Sequence, residues 1–196
     1  MSARQASVAR KTAETDIKLM LSLDGTGKAN IHSGIGFFDH MLNLLTAHGQ
    51  LDLDLFCNGD IEVDGHHSVE DIGIALGDAF LKAIGDKKGI TRYGTFFLPM
   101  DETLAMVSLD ISGRPFLVYD GGAMAPMIGS YDTELTEEFL RAFAMHAGLT
   151  LHVRVLYGTN SHHKVEAIFK ALGHALRIAV SHDEKVTGVP STKGVL

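Results

Sequence analysis

His66–Ile84 reads HHSVEDIGIALGDAFLKAI and His162–Val180 reads HHKVEAIFKALGHALRIAV. Aligned at an offset of 96 residues, they share both histidines, the valine, the glutamate, an isoleucine, the Ala-Leu-Gly run and two later alanines. Upstream, AHGQLDLDLF from Ala47 resembles MHAGLTLHVRV from Met145, two residues out of step with the later block. Self-similarity at one offset marks a copied supersecondary unit. Two amphipathic helices can look alike by chance, but a His-His-x-x-Glu string aligned in both argues for common ancestry. The chain therefore divides into a first half-repeat, residues 1–92, and a second, residues 93–196, forming one compact duplicated unit.

Outward from these stretches, hydrophobic spacing assigns the remaining elements. Ile17–Leu23 alternates and reads as a strand, followed by the turn signal Asp24-Gly25-Thr26-Gly27 and a short strand near Ala29–His32. Phe38, Met41, Leu42 and Leu45 fall on one helical face between Phe37 and His48. Leu51–Phe56 alternates as a strand with one wet face, and Asn58-Gly59-Asp60 turns the chain into Ile61-Glu62-Val63. A helix from about His67 to Ile84 then ends at Gly85. In the second half, Leu104–Asp110 and Phe116–Tyr119 read as strands, Glu134–Ala147 as a helix and Leu149–Leu156 as a strand. Ser161 or Asn160 caps a last helix to about Val180. The Gly-, Met- and Ala-rich run from Asp120 to Ser130 reads as a loop. The fold class is α+β, with internally duplicated half-domains and mixed sheets whose helices pack on one face of each.

Composition narrows the functions open to such a fold. Seventeen Lys and Arg against 24 Asp and Glu leave a net charge of −7, which disfavours general nucleic-acid binding, because neutralising phosphates needs excess cations. Cys57 is alone, so no intrachain disulfide or cysteine-based zinc site can form, and a reducing compartment is favoured. No apolar run approaches the roughly 20 residues of a membrane span. The N-terminal MSARQASVARKTAET is rich in Arg, Ser and Ala but lacks an apolar core, so it reads as mature sequence and the protein as cytoplasmic.

Histidine is the unusual count, eleven in all, with two adjacent pairs. Positions i and i+4 share a helix face, so His66 with Glu70, and His162 with Glu166, can approach one ion. His67 and His163 lie about 100° further round and face elsewhere. Each motif thus offers two half-sites pointing in different directions, and two copies can complete two sites. Imidazole and carboxylate together suit Mn, Fe, Zn, Co or Ni. A lone His pair is as often a cap or a hydrogen-bonding pair, but two aligned pairs with Glu at the same offset favour metal.

The chain also carries, in order, Arg10-Lys11-Thr12-Ala13-Glu14-Thr15, Gly34-Ile35-Gly36-Phe37-Phe38-Asp39-His40-Met41-Leu42, Pro99-Met100-Asp101-Glu102, Ser112-Gly113-Arg114-Pro115, Phe169-Lys170-Ala171 and Pro190-Ser191-Thr192-Lys193-Gly194. With the two His-His-x-x-Glu motifs, these closely resemble the imidazoleglycerol-phosphate dehydratases of histidine biosynthesis over nearly the whole chain. The resemblance implies a hydro-lyase that converts imidazoleglycerol phosphate to imidazole acetol phosphate and water. It implies two manganese ions, Mn2+, per active site, and a homo-oligomeric shell of twenty-four subunits with sites at subunit contacts. Carried over by motif, one ion is held by His40, His67, His162 and Glu166. The other is held by His66, Glu70, His163 and a residue near Glu138. Many members of the family carry His where Glu138 stands; a carboxylate also ligates manganese, so Glu138 is the expected ligand, ahead of His146.

The resemblance also suggests a division of labour. The substrate hydrogen to be lost sits beside no carbonyl, so simple base removal is difficult. Two ions acting as Lewis acids on the imidazole would favour imidazolate, whose electrons can expel the neighbouring hydroxyl and leave a diazafulvene-like intermediate. Glu14 is the expected base for the adjacent carbon, or else a ligand of a substrate hydroxyl. Arg92, Arg114 and Lys170, with Ser191, Thr192 and Lys193, are expected to hold the phosphate. Two other readings fit a His/Glu dimetal site. A hydrolase would release inorganic phosphate, and a metal store or sensor would need neither Arg114 nor Lys193.

Overall fold

The computed structural model describes residues 4–196; of the N-terminal stretch read as mature sequence, Met1, Ser2 and Ala3 lie outside it. The first half runs β1 (Gln5–Lys11), β2 (Thr15–Ser22), β3 (Ala29–His32), α1 (Gly36–Gly49), β4 (Asp52–Gly59) and α2 (His66–Ile84). The second runs β5 (Tyr93–Met100), β6 (Thr103–Asp110), β7 (Phe116–Asp120), β8 (Met127–Ile128), β9 (Tyr131–Asp132), α3 (Leu135–Ala147), β10 (Thr150–Tyr157) and α4 (Ser161–Val180). The first sheet has the order β1-β2-β4-β3 and the second β5-β6-β10-β7. In each, only the last pairing is parallel: β3 with β4, and β7 with β10. A parallel pair needs a crossover, and α1 and α3 supply it. Each half is thus a hairpin, a strand-helix-strand crossover and a closing helix. The second half adds the small β8–β9 hairpin, whose first strand lies inside the stretch read as a loop and whose second follows directly after it.

Alternation along the strands decides which sheet face is dry. Ile17, Leu19 and Leu21 of β2 are buried, while Lys18 and Met20 point outward. Onto the dry faces pack α2, against β1 and β2, and α4, against β5 and β6. The helices then pair across the halves, α1 with α4 and α2 with α3, so both halves share one core. Phe38 of α1 meets Phe139 of α3 edge-on at 5.2 Å, and Phe139 stacks on Phe169 of α4 at 5.3 Å. Phe80 of α2 joins through Phe143 at 5.9 Å. Each such aromatic pair adds about 0.5–1.5 kcal/mol beyond its burial.

The Ala-Leu-Gly run shared by the repeats marks these helix crossings. A Cβ on Gly77 would lie 2.6 Å from the His146 Cβ and 2.9 Å from the Ala147 nitrogen. A Cβ on Gly173 would lie 2.6 Å from the Leu45 carbonyl oxygen. Only glycine lets α2 approach α3, and α4 approach α1, this closely.

Several boundaries depart from the sequence reading. β1 and β5 were not expected as strands. Both are sheet edges: β1 alternates between exposed and half-buried, and β5 between exposed positions and an inward face that is only half-buried at Phe96 and Met100, so their apolar signal is weak. β4 runs on to Gly59, past the Phe56 end read from the alternation, and Ile61-Glu62-Val63 is a turn leading into α2.

Candidate metal centre and substrate site

At the start of α4, the Asn160 side chain caps the helix by accepting from the His162 and His163 backbone nitrogens. One turn later Glu166 Oε2 lies 3.0 Å from His162 Nε2. From α1, His40 brings Nε2 to 3.6 Å from the same oxygen. The donor atoms of His40, His162 and Glu166 all fall within 4.8 Å of one another. The Phe37 ring meets His162 edge-on at 5.2 Å and limits its rotation. Glu166 is 7% exposed, and burial opposes its ionisation. Hydrogen bonds from Lys170 (Nζ to Oε1, 2.6 Å) and His162 outweigh that cost and hold its carboxyl below the usual range. One carboxylate oxygen is thus tied to a cation while the other faces two imidazoles. Two imidazole nitrogens and a carboxylate oxygen converging on one point are the donor set of a divalent transition ion.

His67 is not in this group. Its Nδ1 lies 3.0 Å from Asp60 Oδ2, and its Nε2 lies 3.7 Å from Glu14 Oε1. His163 repeats the arrangement, with Nδ1 2.8 Å from Glu102 Oε2 and Nε2 3.7 Å from Asp101 Oδ2. The Asp60 hydrogen bond raises the pKa of His67, and the Glu102 hydrogen bond that of His163. Glu102 also accepts from the Asn160 and Thr159 backbone nitrogens at 2.7 and 3.0 Å, and these bonds hold its carboxyl far below the ordinary carboxylate value. A carboxylate on Nδ1 fixes the tautomer that leaves the Nε2 lone pair free, the usual support for a ligating histidine. Asp60 and Glu102 were not singled out from the sequence for this role. Glu102 stood in the quoted Pro-Met-Asp-Glu motif, but nothing in its spacing pointed to His163.

The remaining expected residues are dispersed. His66 and Glu138 line one cavity of about 530 Å³ together with the acidic Asp64, Asp132 and Glu134. Glu138 Oε2 lies 3.9 Å from Arg141 Nε. Glu70 is exposed and makes no side-chain hydrogen bond or ion pair among the described residues. The expected basic residues also differ in what they hold. Arg114 and Lys193 are exposed, as is Thr192, with Ser191 half-buried beside them. Arg92 is buried, bonded to both Asp110 oxygens at 2.7 and 3.0 Å and to the Pro190 carbonyl at 2.7 Å, which ties the C-terminal tail to the β5–β6 hairpin. Lys170 spends its ammonium on Glu166.

A family model described as imidazoleglycerol-phosphate dehydratase matches residues 33–176. The chain belongs to the imidazoleglycerol-phosphate dehydratase family. It is therefore a hydro-lyase. The imidazoleglycerol-phosphate dehydratase of Clostridium novyi is 60% identical over 196 residues, covering 100% of both chains. That of Clostridium botulinum is 62% identical over 191 residues, 97% of each chain. Among solved structures, the family member from Staphylococcus aureus matches with a TM-score of 0.83 and 43% identity, over 91% of this chain and 99% of that one. The member from Pyrococcus furiosus matches with a TM-score of 0.83 and 36% identity, over 96% of this chain and 100% of that one. Among the described residues, no helix is long and apolar enough to cross a membrane.

Proposed function

We propose that this chain dehydrates imidazoleglycerol phosphate to imidazole acetol phosphate in histidine biosynthesis, in the cytoplasm, with two manganese ions at each active site. The observation that carries this reading is the convergence of His40, His162 and Glu166 on one point. The donor set fits a divalent ion: two imidazoles, and a carboxylate kept ionised by Lys170. His67 would add the fourth donor to that ion. His66, Glu70, His163 and Glu138 would hold the second. When bound, the ions would act as Lewis acids on the substrate's imidazole.

The chain's own residues do the rest. His67 and His163, held at Nδ1 by Asp60 and Glu102, would offer Nε2 as the nitrogen left for an ion. Glu14, exposed on the β1–β2 turn 3.7 Å from His67 Nε2, would accept a proton from the substrate carbon or hold its hydroxyl. Arg114 and Lys193, with Ser191 and Thr192, supply free donors for the phosphate. Arg92 orders the tail that carries three of them, and Lys170 sets the charge of Glu166.

Three donors in one chain leave the site incomplete, and His67 is occupied elsewhere. This supports a homo-oligomer, a twenty-four-subunit shell by family, in which subunits complete each other's sites. Within each subunit the halves 1–92 and 93–196 act as one duplicated unit. The test is an assay on metal-stripped protein given imidazoleglycerol phosphate with and without Mn(II). Manganese-dependent ketone without free phosphate is expected. Free phosphate would mean a hydrolase, and stable metal binding with no turnover would mean a store or sensor.

A further inference from the structure

Asp71 follows Glu70 on α2, one turn beyond His67, and is 6% exposed. Its Oδ1 accepts from Arg10 of β1, at 2.9 Å from Nε and 2.7 Å from Nη2. Its Oδ2 accepts from the Thr15 hydroxyl of β2 at 2.5 Å. Thr15 Oγ1 lies 3.2 Å from Thr12 Oγ1, which in turn accepts from the Glu14 backbone nitrogen at 3.1 Å and the Thr15 nitrogen at 3.0 Å. The direction of this chain is forced. An ionised carboxylate only accepts, so Thr15 must donate its single hydroxyl proton to Asp71. Thr12 must then donate to Thr15, which leaves Thr12 Oγ1 free to accept from Glu14. On the other side the Glu14 carbonyl accepts from the Asp60 nitrogen at 3.1 Å, and Asp60 is the residue that holds His67.

From this geometry we infer that Asp71 is a positioning residue: through Thr15 and Thr12 it holds the β1–β2 turn so that the Glu14 carboxylate stands over His67. Arg10 and Asp71 alone would make an ordinary hairpin-to-helix ion pair. The two threonines convert it into a fixed address for one exposed carboxylate that, among the described residues, no side-chain hydrogen bond holds directly. The inference rests on the reading of Glu14 as the group that meets the substrate.

Thr15→Val removes the link while leaving the Arg10–Asp71 pair. It should lower kcat by about 10- to 100-fold, the scale of a misplaced catalytic group, with KM and the melting temperature near those of the parent. Thr15→Ser should restore kcat. Asp71→Asn should behave like Thr15→Val, because an amide that offers its oxygen to Arg10 turns its NH₂ toward Thr15 and reverses the hydroxyl chain. The deciding comparison is a double-mutant cycle with Glu14→Gln. If Asp71 acts through Glu14, Thr15→Val costs nothing further in the Glu14→Gln background. Losses that multiply, a kcat untouched by Thr15→Val, or a loss that follows the melting temperature and is not rescued by serine would each overturn the inference. Full activity in Glu14→Gln alone would instead overturn the reading of Glu14.

Discussion

The second histidine of each pair is held at Nδ1 by a carboxylate that lies outside its own helix. Asp60 lies seven positions from His67, and Glu102 sixty-one from His163, yet both take Nδ1. Truncating either carboxylate should cost 10- to 100-fold in metal affinity, the usual effect of removing such a support, measured by competition against a chelator. A loss under twofold would remove Asp60 and Glu102 from that role. The sign of the pH dependence follows from the same bonds. Both histidines have pKa values raised above 6.5, and the ion needs unprotonated Nε2, so apparent affinity falls as pH drops through the raised value. Asp60→Ala should move that midpoint toward acid even as it weakens binding at pH 8. At this scale the sequence was legible where donors share a helix face, as His162 and Glu166 do at 3.0 Å. It was not legible where the partner comes from a turn, because no periodicity relates a loop carboxylate to a helix.

At the scale of elements, the four helices owe their spacing to small residues at two crossings. Gly77→Ala or Gly173→Ala forces a Cβ to within 2.6 Å of the facing helix. Each should destabilise by about 1–3 kcal/mol, as overpacking does. That corresponds to a fall in melting temperature of about 2–4 °C for each kcal/mol in a chain of this size. An unchanged melting temperature would show that the crossing relaxes freely. The helices themselves were readable to within a residue or two, because each has an unbroken 3.6-residue apolar face and a clear end, such as Asn160 before α4 or Gly85 after α2. The edge strands were not. In β1 the side chains alternate between exposed and half-buried, so Ser7-Val8-Ala9-Arg10 carries no strong period until β2 lies beside it.

Over the whole molecule, the outer face of the second sheet mixes exposed aromatics with polar groups: Tyr93, Phe97 and Phe116 are 56%, 55% and 60% exposed, and with them on that face stand Ser108, His152 and Arg154. Together with the three-donor site, this predicts an assembly whose subunits complement one another. Glu166→Gln and His67→Ala proteins, each inactive alone, should regain activity when dissociated, mixed and reassembled. If no activity returns, each site lies within one chain. By itself the sequence determined the duplication, the helix faces, the family and the types of residue available for chemistry, since all of these are written in local spacing. Only the tertiary structure decided which donors meet. It set His40 of α1 beside Glu166 of α4, left His67 with Asp60 and Glu14, and committed Arg92 and Lys170 to carboxylates. The reason is geometric: such meetings depend on how closely and at what angle whole helices cross, and that is set by packing across the two halves.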